Sequence, residues 1–434
     1  MGSWAGGRGS TLCAGARRSA RGARARGAGS GCRAPTEGRR AAGAGGARAA
    51  APAPLRLRVC TWNALGDALA FEHRGALYPG APTGVLRWPG RLGRLARQVY
   101  LLRPDVLLLQ EVDRYPEIEA VLRRQGYQGA FQQRHGKPDG CATFWRTWSG
   151  VRLVRQDRCL FHRFGLKNNV ALLCVLAVAP RGGGKGRRPG PGCGHSEARL
   201  VVANTHIAFS PKRGDVKLGQ VRKLVDAAAA AGGWSRGERG SPPLPVVLGG
   251  DFNATPTSGV LEFILKGALD LRGRDRRQLS GQLTWHQAEE APGGGGASAA
   301  GEGEGGYPPE STLGWDAESL TTALGPEEAA GGGSCVRHGL PLRSAFADAN
   351  GGVEPPFTTA HRRFRGTVDY LFYSAGPSVL RPLRSWTAGG GGPGGGQGGG
   401  QGARPPRLPH ATWPSDHLAL LCDFQLSPPA PPRD

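Results

Sequence analysis

The sequence has 434 residues, among them 73 Gly and 35 Pro, and its formal net charge is +23. Tracts rich in Gly and Pro cannot bury enough apolar surface to fold, so we expect one globular domain that is shorter than the chain. No stretch reaches the roughly 18 consecutive apolar residues of a membrane span, and the nine scattered cysteines include no Cys-x-x-Cys pair. The composition therefore argues against membrane-spanning, disulfide-rich and zinc-binding proteins, and it favours a soluble protein in a reducing compartment.

The basic charge is concentrated at the N-terminus. The first 58 residues contain twelve Arg, no Lys and one acid, Glu37, a net charge of +11 that leaves +12 for the rest. We expect residues 1–54 to be a disordered basic arm or an organelle transit peptide. The cytoplasm, a chloroplast or mitochondrion, and the nucleus all remain open as locations. The remaining +12 suits a polyanionic substrate as well as it suits an ordinary solvated surface.

Apolar periodicity predicts the elements of the first half of the domain. Alternation of Leu55, Leu57 and Val59 with polar residues predicts a strand that runs into Asn63. The patterns that follow predict a helix over residues 91–103 that Pro104 ends, a buried strand over 106–109, a short helix around Ile118 and a strand over 141–145.

Predicted strands and glycine-rich tracts alternate in the second half. Strands are predicted over residues 170–178, 200–203, 245–248, 367–373 and 418–424, and a helix over 215–231. We expect one domain over residues 55–426, interrupted by low-complexity insertions at about 181–195, 291–333 and 389–402, and followed by a disordered tail at 427–434.

Polar residues with metal-binding or hydrogen-bonding groups stand at the ends of the predicted strands. They are Asn63, Glu111, His206, Asp251 and Asn253, while His417 precedes the last strand. Strand ends in one sheet layer lie at one edge, so side chains from distant parts of the sequence can converge there. This pattern is typical of an active site.

The acids among these residues suit a metal-dependent reaction on phosphate esters. Mg²⁺ takes oxygen ligands, and two ions about 3.5–4 Å apart can activate water and stabilise a leaving oxygen. The oxygen ligands on offer are Asn63, Glu111, Asp251, Asn253, Asp369 and Asp416. Simpler interpretations exist: residues 249–253 have the composition of a turn, and residues 415–417 suit a strand cap. Glu111, after an apolar run, and Asp369, inside a strand, are harder to explain without a partner, and His417 is a natural one for Asp369.

Six short motifs occur in an order that resembles the endonuclease/exonuclease/phosphatase superfamily. They are Thr-Trp-Asn63-Ala-Leu, Gln110-Glu111-Val112, Asn204-Thr205-His206, Gly250-Asp251-Phe252-Asn253, Val368-Asp369-Tyr370 and Ser415-Asp416-His417. Residues 139–142, 167–171 and 210–220 further resemble the carbon catabolite repressor 4-type deadenylase branch, which includes nocturnin, the Angel proteins and the 2′-phosphodiesterase. Gly366-Thr367-Val368-Asp369-Tyr370 is most similar to plant and algal members.

The resemblance implies an α/β fold, a four-layer α/β sandwich in which two mixed β-sheets lie face to face between helices. It implies that Glu111 is the principal magnesium ligand, helped by Asn63 and Asp416. It also implies a catalytic set, in which Asp251 and Asn253 position water and phosphate and the Asp369–His417 pair stabilises or protonates the phosphoryl group; His206 completes this set.

The resemblance implies an adenine-binding set as well, consisting of His206, Pro211 and Phe364, with Asn253 beside them. An aromatic base platform is worth about 1–3 kcal/mol, although Phe364 also fits a core position. Phe357-Thr358-Thr359 departs from the Phe-Thr-Asn of many members, which weakens the expectation of adenine selection. Residues 1–54 cannot encode the leucine-rich repeats by which some members join a larger complex.

The resulting hypothesis is a Mg²⁺-dependent 3′–5′ exoribonuclease, a poly(A)-specific deadenylase that releases AMP with two Mg²⁺ ions, for which Mn²⁺ substitutes. Its partner is RNA with a poly(A) 3′ end, and no membrane is involved. One alternative is a phosphatase on phosphorylated dinucleotide cofactors, as in nocturnin, or a 2′-5′ oligoadenylate phosphodiesterase. A more distant alternative is a non-catalytic RNA-binding module.

Overall fold

The computed structural model describes residues 54–180, 197–234, 242–282, 313–375, 380–388 and 408–427. The predicted basic arm or transit peptide up to residue 53, the insertions at 181–195 and 389–402, and residues 428–434 of the predicted tail lie outside the described residues. Within the described ranges, no helix is both long enough and apolar enough to cross a membrane.

The described residues form sixteen strands. These are β1 (Leu55–Asn63), β2 (Val106–Gln110), β3 (Tyr127–Gln133), β4 (Gly140–Arg146), β5 (Val151–Leu160), β6 (Val170–Val178), β7 (Ala198–His206), β8 (Val246–Asp251), β9 (Ala268–Asp270), β10 (Cys335–Arg337), β11 (Leu342–Ser344), β12 (Thr359–His361), β13 (Phe364–Gly366), β14 (Asp369–Ser374), β15 (Leu380–Ala388) and β16 (Ala419–Leu426).

Ten α-helices occur in the same ranges. These are α1 (Asp67–Glu72), α2 (Arg74–Leu77), α3 (Thr83–Leu86), α4 (Trp88–Leu102), α5 (Tyr115–Arg123), α6 (Gly214–Gly232), α7 (Gly259–Lys266), α8 (Ala317–Leu324), α9 (Pro326–Ala330) and α10 (Ala345–Ala349).

Two six-stranded sheets form the centre of the molecule. The first sheet has the strand order β15-β16-β1-β2-β4-β3, and the second has the order β11-β14-β8-β7-β6-β5. Each sheet is mixed, because β1–β2 and β7–β8 are parallel while the other pairs are antiparallel. The carboxyl ends of the central parallel strands therefore point to one edge in each sheet.

The alternation of side chains along β6 shows how the layers pack. All nine residues of β6 are apolar and buried, which a strand covered on both faces requires. Ala171, Leu173 and Val175 pack into the core beneath α6 and α7, whereas Leu172 and Cys174 face the core between the sheets. A third core lies where α4 and α5 cover the first sheet. The order helices, sheet, sheet, helices confirms the predicted four-layer sandwich.

Several elements were not predicted, among them β5, α7 and β15, and part of one predicted insertion is folded. β5 was not predicted, because its exposed residues are mostly charged, as an edge strand permits. The expectation of disorder over residues 291–333 is wrong for α8 and α9, while residues 291–312 lie outside the described ranges. Asp316 and Ser319 cap α8 reciprocally, and Ala323 and Leu324 are buried in the core under α6. In α8 the reciprocal cap and the buried apolar residues therefore favour a helix, although the surrounding Gly- and Glu-rich composition predicted disorder.

Candidate active site

The polar strand-end residues meet where the corresponding edges of the two sheets adjoin. The sequence pattern placed them at one edge of one sheet layer, but the structure takes them from both sheets. Asn63 and Glu111 come from the first sheet, His206, Asp251 and Asp369 come from the second, and Asp416 and His417 precede β16. Because the two sheets pack face to face, the polar residues of the first sheet lie next to those of the second.

The Asn63 side chain connects an acid of the first sheet to an acid of the second. Its side-chain Nδ2 donates to Glu111 Oε1 at 2.9 Å and to Asp251 Oδ2 at 3.1 Å. Its Oδ1 accepts the backbone N–H of Leu65 at 3.0 Å. The amide is fully buried, so one side chain fixes carboxylates from both sheets.

Glu111 is held by an unusual backbone conformation. Its φ is +53°, and the following residue, Val112, exchanges two backbone hydrogen bonds of 3.0 Å with Gly140. A Cβ at Gly140 would lie 2.2 Å from the carbonyl oxygen of Gln132, which explains the glycine of the motif at 139–142. Glu111 Oε2 also accepts from the N–H of Gly66 at 3.0 Å. Burial, and next the Asp416 carboxylate, raise the pKa of Glu111.

Asp251 lies at the end of β8 after a glycine that no other residue can replace. Gly250 has φ +153°, and a Cβ there would lie 2.0 Å from the carbonyl oxygen of Thr205. Asp251 Oδ1 accepts the N–H of Asn253 at 2.9 Å, and Oδ2 lies 3.5 Å from His206 Nε2 and 3.9 Å from His417 Nε2. Burial is the main cause that raises the pKa of Asp251.

His417 and Asp369 form a buried pair, as predicted. His417 Nδ1 lies 2.8 Å from Asp369 Oδ2. The Ser415 hydroxyl accepts the N–H of His417 at 3.0 Å and donates to the carbonyl of Asn63 at 2.7 Å. Burial opposes protonation of His417, but the carboxylates of Asp369, Asp416 and Asp251 outweigh it and raise the pKa of the imidazole well above its ordinary value.

His206 and Asn253 border the cluster on the side of the second sheet. Asn253 has φ +49°, and its Nδ2 lies 3.1 Å from His206 Nε2 and donates to the carbonyl of Ile207 at 2.9 Å. Burial is the main cause that lowers the pKa of His206. A neutral imidazole therefore faces Asn253, opposite the cationic one at His417.

The sequence model of the endonuclease/exonuclease/phosphatase family matches residues 60–417, a range that contains this cluster. The chain belongs to this family. Carbon catabolite repressor protein 4 homolog 5 of Arabidopsis thaliana is 34% identical over 383 residues, which cover 85% of this chain and 77% of that protein. Homolog 3 of the same plant is 30% identical over 388 residues, covering 86% and 76%.

Solved structures agree with the family assignment. The crystal structure of ANGEL2, described as a 2′,3′-cyclic phosphatase and bound to adenosine-2′,3′-vanadate, has a TM-score of 0.59 at 28% identity. The match covers 86% of this chain and 96% of that one. The protein is thus a hydrolase of the nuclease and phosphatase type, related to the carbon catabolite repressor 4 and Angel proteins.

A buried lysine that the sequence analysis did not single out lies next to this active-site cluster. Lys217, in the first turn of α6, is fully buried and donates to the carbonyl of Asn253 and to Gln282 Oε1, each at 2.5 Å. Gln282 Nε2 in turn donates to Asn253 Oδ1 at 3.4 Å. Burial lowers the pKa of Lys217 to about 7. The signal in the sequence is a lysine between two apolar residues, Val216 and Leu218, in the part of α6 over residues 214–221 where every residue is buried.

Four buried amide side chains, those of Gln110, Asn169, Asn204 and Gln220, support the segments that carry the cluster. Gln110 Nε2 donates to Asn204 Oδ1 at 2.8 Å, which links β2 of the first sheet to β7 of the second. Asn169 Nδ2 donates to the carbonyl of His206 at 2.8 Å, and Gln220 Oε1 accepts the N–H of Ala208 at 2.8 Å. These contacts give structural roles to the motifs at 167–171 and 210–220.

Tyr78 is a second residue that sequence reasoning missed. Its hydroxyl donates to Asp416 Oδ2 at 2.8 Å from the segment between α2 and α3. Burial, and then the Asp416 carboxylate, raise the pKa of Tyr78 well above its ordinary value. A lone tyrosine in a Gly- and Pro-rich stretch carries no pattern that identifies this contact.

The predicted base-binding residues flank the cluster on two segments. Pro211 is half-buried in the loop between His206 and α6, and its carbonyl accepts from the Ser280 hydroxyl at 3.1 Å. Phe364 lies in the β12–β13 hairpin and is 6% exposed. That hairpin bonds to the Asp416 segment, since Ala360 N donates to the carbonyl of Asp416 at 3.0 Å.

The donor set fits a hard divalent cation. Glu111, Asp251, Asp369 and Asp416 bring four carboxylates to one cluster. Ligand atoms of Asp251, Asp369 and His417 all lie within 4.8 Å of one another. Asp369 Oδ1 is buried without a hydrogen-bond partner among the described residues. Buried carboxylates in excess over cationic side chains need a counter-charge, and oxygen ligands favour Mg²⁺ or Mn²⁺.

Proposed function

We propose that the protein is a Mg²⁺-dependent 3′–5′ exoribonuclease that shortens poly(A) and releases AMP. The observation that carries the proposal is the Asn63 amide, which holds Glu111 and Asp251 at 2.9 and 3.1 Å. A metal-binding carboxylate and a candidate general base are thereby fixed beside each other, as hydrolysis of a phosphodiester requires.

We assign the metal to Glu111, with Asp416 as its neighbour across the cluster. A bound divalent cation polarises the phosphate and makes water a better nucleophile. In this structure the nitrogen of Asn63 faces the carboxylates while its oxygen accepts from Leu65. Asn63 therefore contributes by orienting both acids, instead of offering its own oxygen as a ligand.

We assign the other residues of the cluster separate roles in binding and hydrolysing the phosphate. Asp251 would accept a proton from the attacking water, and Asn253 would hold the phosphate from the side of His206. His417, held by Asp369 at 2.8 Å, would donate a hydrogen bond to the phosphoryl oxygens. Preorganised donors of this kind stabilise the charge that develops in the transition state.

Features beside the cluster favour a polymeric substrate. Phe209 follows His206 by three residues and is 63% exposed, and the Lys167 ammonium donates to the Ser210 hydroxyl beside it at 3.0 Å. An exposed aromatic ring with adjacent basic groups suits a nucleotide strand, because bases stack on the ring and phosphates meet the cations. His206, Pro211 and Phe364 are our assignment for the terminal adenine.

A second candidate function is hydrolysis of a terminal 2′,3′-cyclic phosphate. The similarity to ANGEL2, described as a 2′,3′-cyclic phosphatase, favours it, because the match covers 96% of that chain at 28% identity. Both reactions need a cation, a general base and a nucleoside site, so the same cluster serves either.

A substrate panel separates the two candidates. Purified full-length protein would be incubated with a 5′-labelled oligo(A), a matching oligo(U), and oligo(A) ending in a 2′,3′-cyclic phosphate, with Mg²⁺, Mn²⁺ or EDTA. We expect a ladder of shortened oligo(A) that needs metal, and slower shortening of oligo(U). Opening of the cyclic phosphate without shortening would favour the second candidate, and a folded protein inert on all three would contradict both.

A further inference from the structure

A second charged site lies at the opposite end of β1 from the active site. There a cavity of about 470 Å³ is lined mainly by arginines, namely Arg56, Arg58, Arg103, Arg146 and Arg384, together with Asp105, Asp423 and Trp148. At about 3.3 Å per strand residue, Arg58 is about 17 Å from Asn63 along β1. The arginine cavity is therefore separate from the catalytic cluster.

The arginine cavity carries an excess of positive charge. Asp423 pairs with Arg58 and with Arg384, each at 2.6 Å, and Asp105 pairs with Arg146 at 2.8 Å. Five arginines thus face two carboxylates, a net charge of about +3. Arg56 and Arg103 are exposed and have no carboxylate partner among the described residues. Two guanidinium groups at the rim are free to meet an anion.

Two of the paired arginines, Arg58 and Arg146, are partly buried, with side chains that are 26% and 13% exposed. Arg58 also donates through Nη1 to the carbonyl of Leu102 at 2.8 Å. The side chain of Arg146 is 13% exposed, and its Nε is buried without a hydrogen-bond partner among the described residues. Preorganised guanidinium forks match the geometry of phosphate oxygens and lose little entropy on binding.

Aromatic rings are interleaved with these arginines. Trp148 is 66% exposed, and the guanidinium of Arg146 lies 5.3 Å from its ring centre. Trp386 lies between Arg58 and Arg384, at 5.1 and 5.0 Å. A flat base can stack on the open face of Trp148 while the arginines contact phosphate, which is how single-stranded nucleic acid is bound without reading its sequence.

We propose that the arginine cavity is a second binding site for single-stranded RNA, which holds phosphates between Arg56 and Arg103 and stacks a base on Trp148. The site would anchor a strand upstream of the 3′ end that the catalytic cluster processes. The choice of RNA as ligand rests on the proposed function, whereas the charge and the rings of the site do not.

Binding measurements on the full-length protein test the proposal. Fluorescence anisotropy would give the affinity for labelled oligo(A) of 20 and of 3 nucleotides in EDTA, between 50 and 300 mM KCl. The test variants are the double variant Arg56→Glu/Arg103→Glu and Trp148→Ala. The matched control is Arg272→Glu/Arg337→Glu, an equal charge reversal beside the β9–β10 pair, and thermal melting verifies that each variant folds.

We expect the double variant to bind the 20-mer at least about 10-fold more weakly. Loss of two phosphate contacts should reduce the slope of log affinity against log salt by about 1.4. Trp148→Ala should cost about 5-fold or more, the lower end of one base stack, and the trimer should be unaffected by all three variants. Equal losses in the test and control double variants, or no loss for the 20-mer, would overturn the proposal.

The outcome is separable from the proposed activity. If folded protein hydrolyses no RNA but the arginine variants still lose affinity for the 20-mer, the second site stands and the exoribonuclease proposal fails. If oligo(A) is shortened normally and the variants bind like wild type, the reverse holds.

Discussion

The two ends of β1 handle charge in opposite ways. At its start, Arg56 and Arg58 line an open cavity in which arginines pair with Asp423 across solvent-accessible contacts. At its end, Asn63 is fully buried and holds the carboxylates of Glu111, which is half-buried, and Asp251, which is buried. Exposed ion pairs contribute about 0–1 kcal/mol to stability, whereas buried like charges are costly unless a cation compensates. The buried end of β1 is therefore organised for function at the expense of stability.

The largest expected effect is at Glu111. Glu111→Gln should lower the hydrolysis rate of oligo(A) by at least about 100-fold, the cost of losing one preorganised charged group. Its melting temperature in EDTA should stay equal or rise, because burial already raises the pKa of this carboxyl. Glu119→Gln on the partly exposed face of α5 is the matched control and should retain wild-type rates. Wild-type turnover in Glu111→Gln would break the contrast between the two ends of β1.

The second-largest loss of activity is expected at the buried Asp369–His417 pair. Asp369→Asn should lower kcat about 100-fold, since general acid–base groups and the partners that orient them contribute about 10²–10⁴-fold. The neutral amide no longer stabilises the charged His417. Asp423→Asn, the corresponding change in the arginine cavity, should change hydrolysis of a trinucleotide less than about twofold. Steady-state kinetics on the trinucleotide measures both, and equal effects would contradict a catalytic role that is confined to the Asp369–His417 end of the molecule.

A smaller effect is expected at Lys217. Lys217→Met removes the two hydrogen bonds that position Asn253 and Gln282, and should lower kcat about 10-fold, the equivalent of about 1.4 kcal/mol. The variant should also change the pH dependence of stability.

The sign of that change follows from the pKa of Lys217, which is about 7 in the folded protein and ordinarily 10.5. Between pH 7 and 10.5 the unfolded state binds more protons at this residue, so its contribution to the free energy of unfolding rises with pH. We therefore expect the melting temperature of the wild type, relative to that of Lys217→Met, to rise as the pH is raised from 6.5 through 8 to 9.5. Parallel curves would contradict a buried lysine with a lowered pKa.

The smallest effect should be at the base site. Phe364→Leu should reduce the preference for oligo(A) over oligo(U) about 5-fold, which corresponds to about 1 kcal/mol of stacking, with little change in the rate on oligo(U). Phe71→Leu, at a ring that is 78% exposed elsewhere, is the control. An unchanged preference would identify Phe364 as a core aromatic, the interpretation that its 6% exposure also allows.

Much of the catalytic cluster could be predicted from the sequence because polar residues interrupted apolar runs. Glu111 after residues 106–109 and Asp369 beside Val368 and Tyr370 are visible in this way, and the structure places both in the cluster. Nothing local in the sequence shows that the strands divide between two sheets, because strand pairing depends on contacts across hundreds of residues.

The partners of the cluster were harder to predict for the same reason. Lys217 meets Gln282 from 65 residues away, and Tyr78 meets Asp416 from 338 residues away. The arginine cavity combines residues from 56 to 423, and each of its five arginines looks like an ordinary surface arginine in its own segment. The helices α8 and α9 were missed because the composition suggested disorder, whereas Asp316 caps α8 and its residues Ala323 and Leu324 are buried in the core.

Titration of Mg²⁺ into the full-length protein by calorimetry measures whether the carboxylate cluster binds the metal. We predict saturable binding to the wild type, binding at least about 10-fold weaker to Glu111→Gln, and wild-type binding to Arg56→Glu/Arg103→Glu. Absence of binding to the folded wild type, or equal binding to the wild type and Glu111→Gln, would contradict the claim that the buried carboxylates at the end of β1 hold the metal.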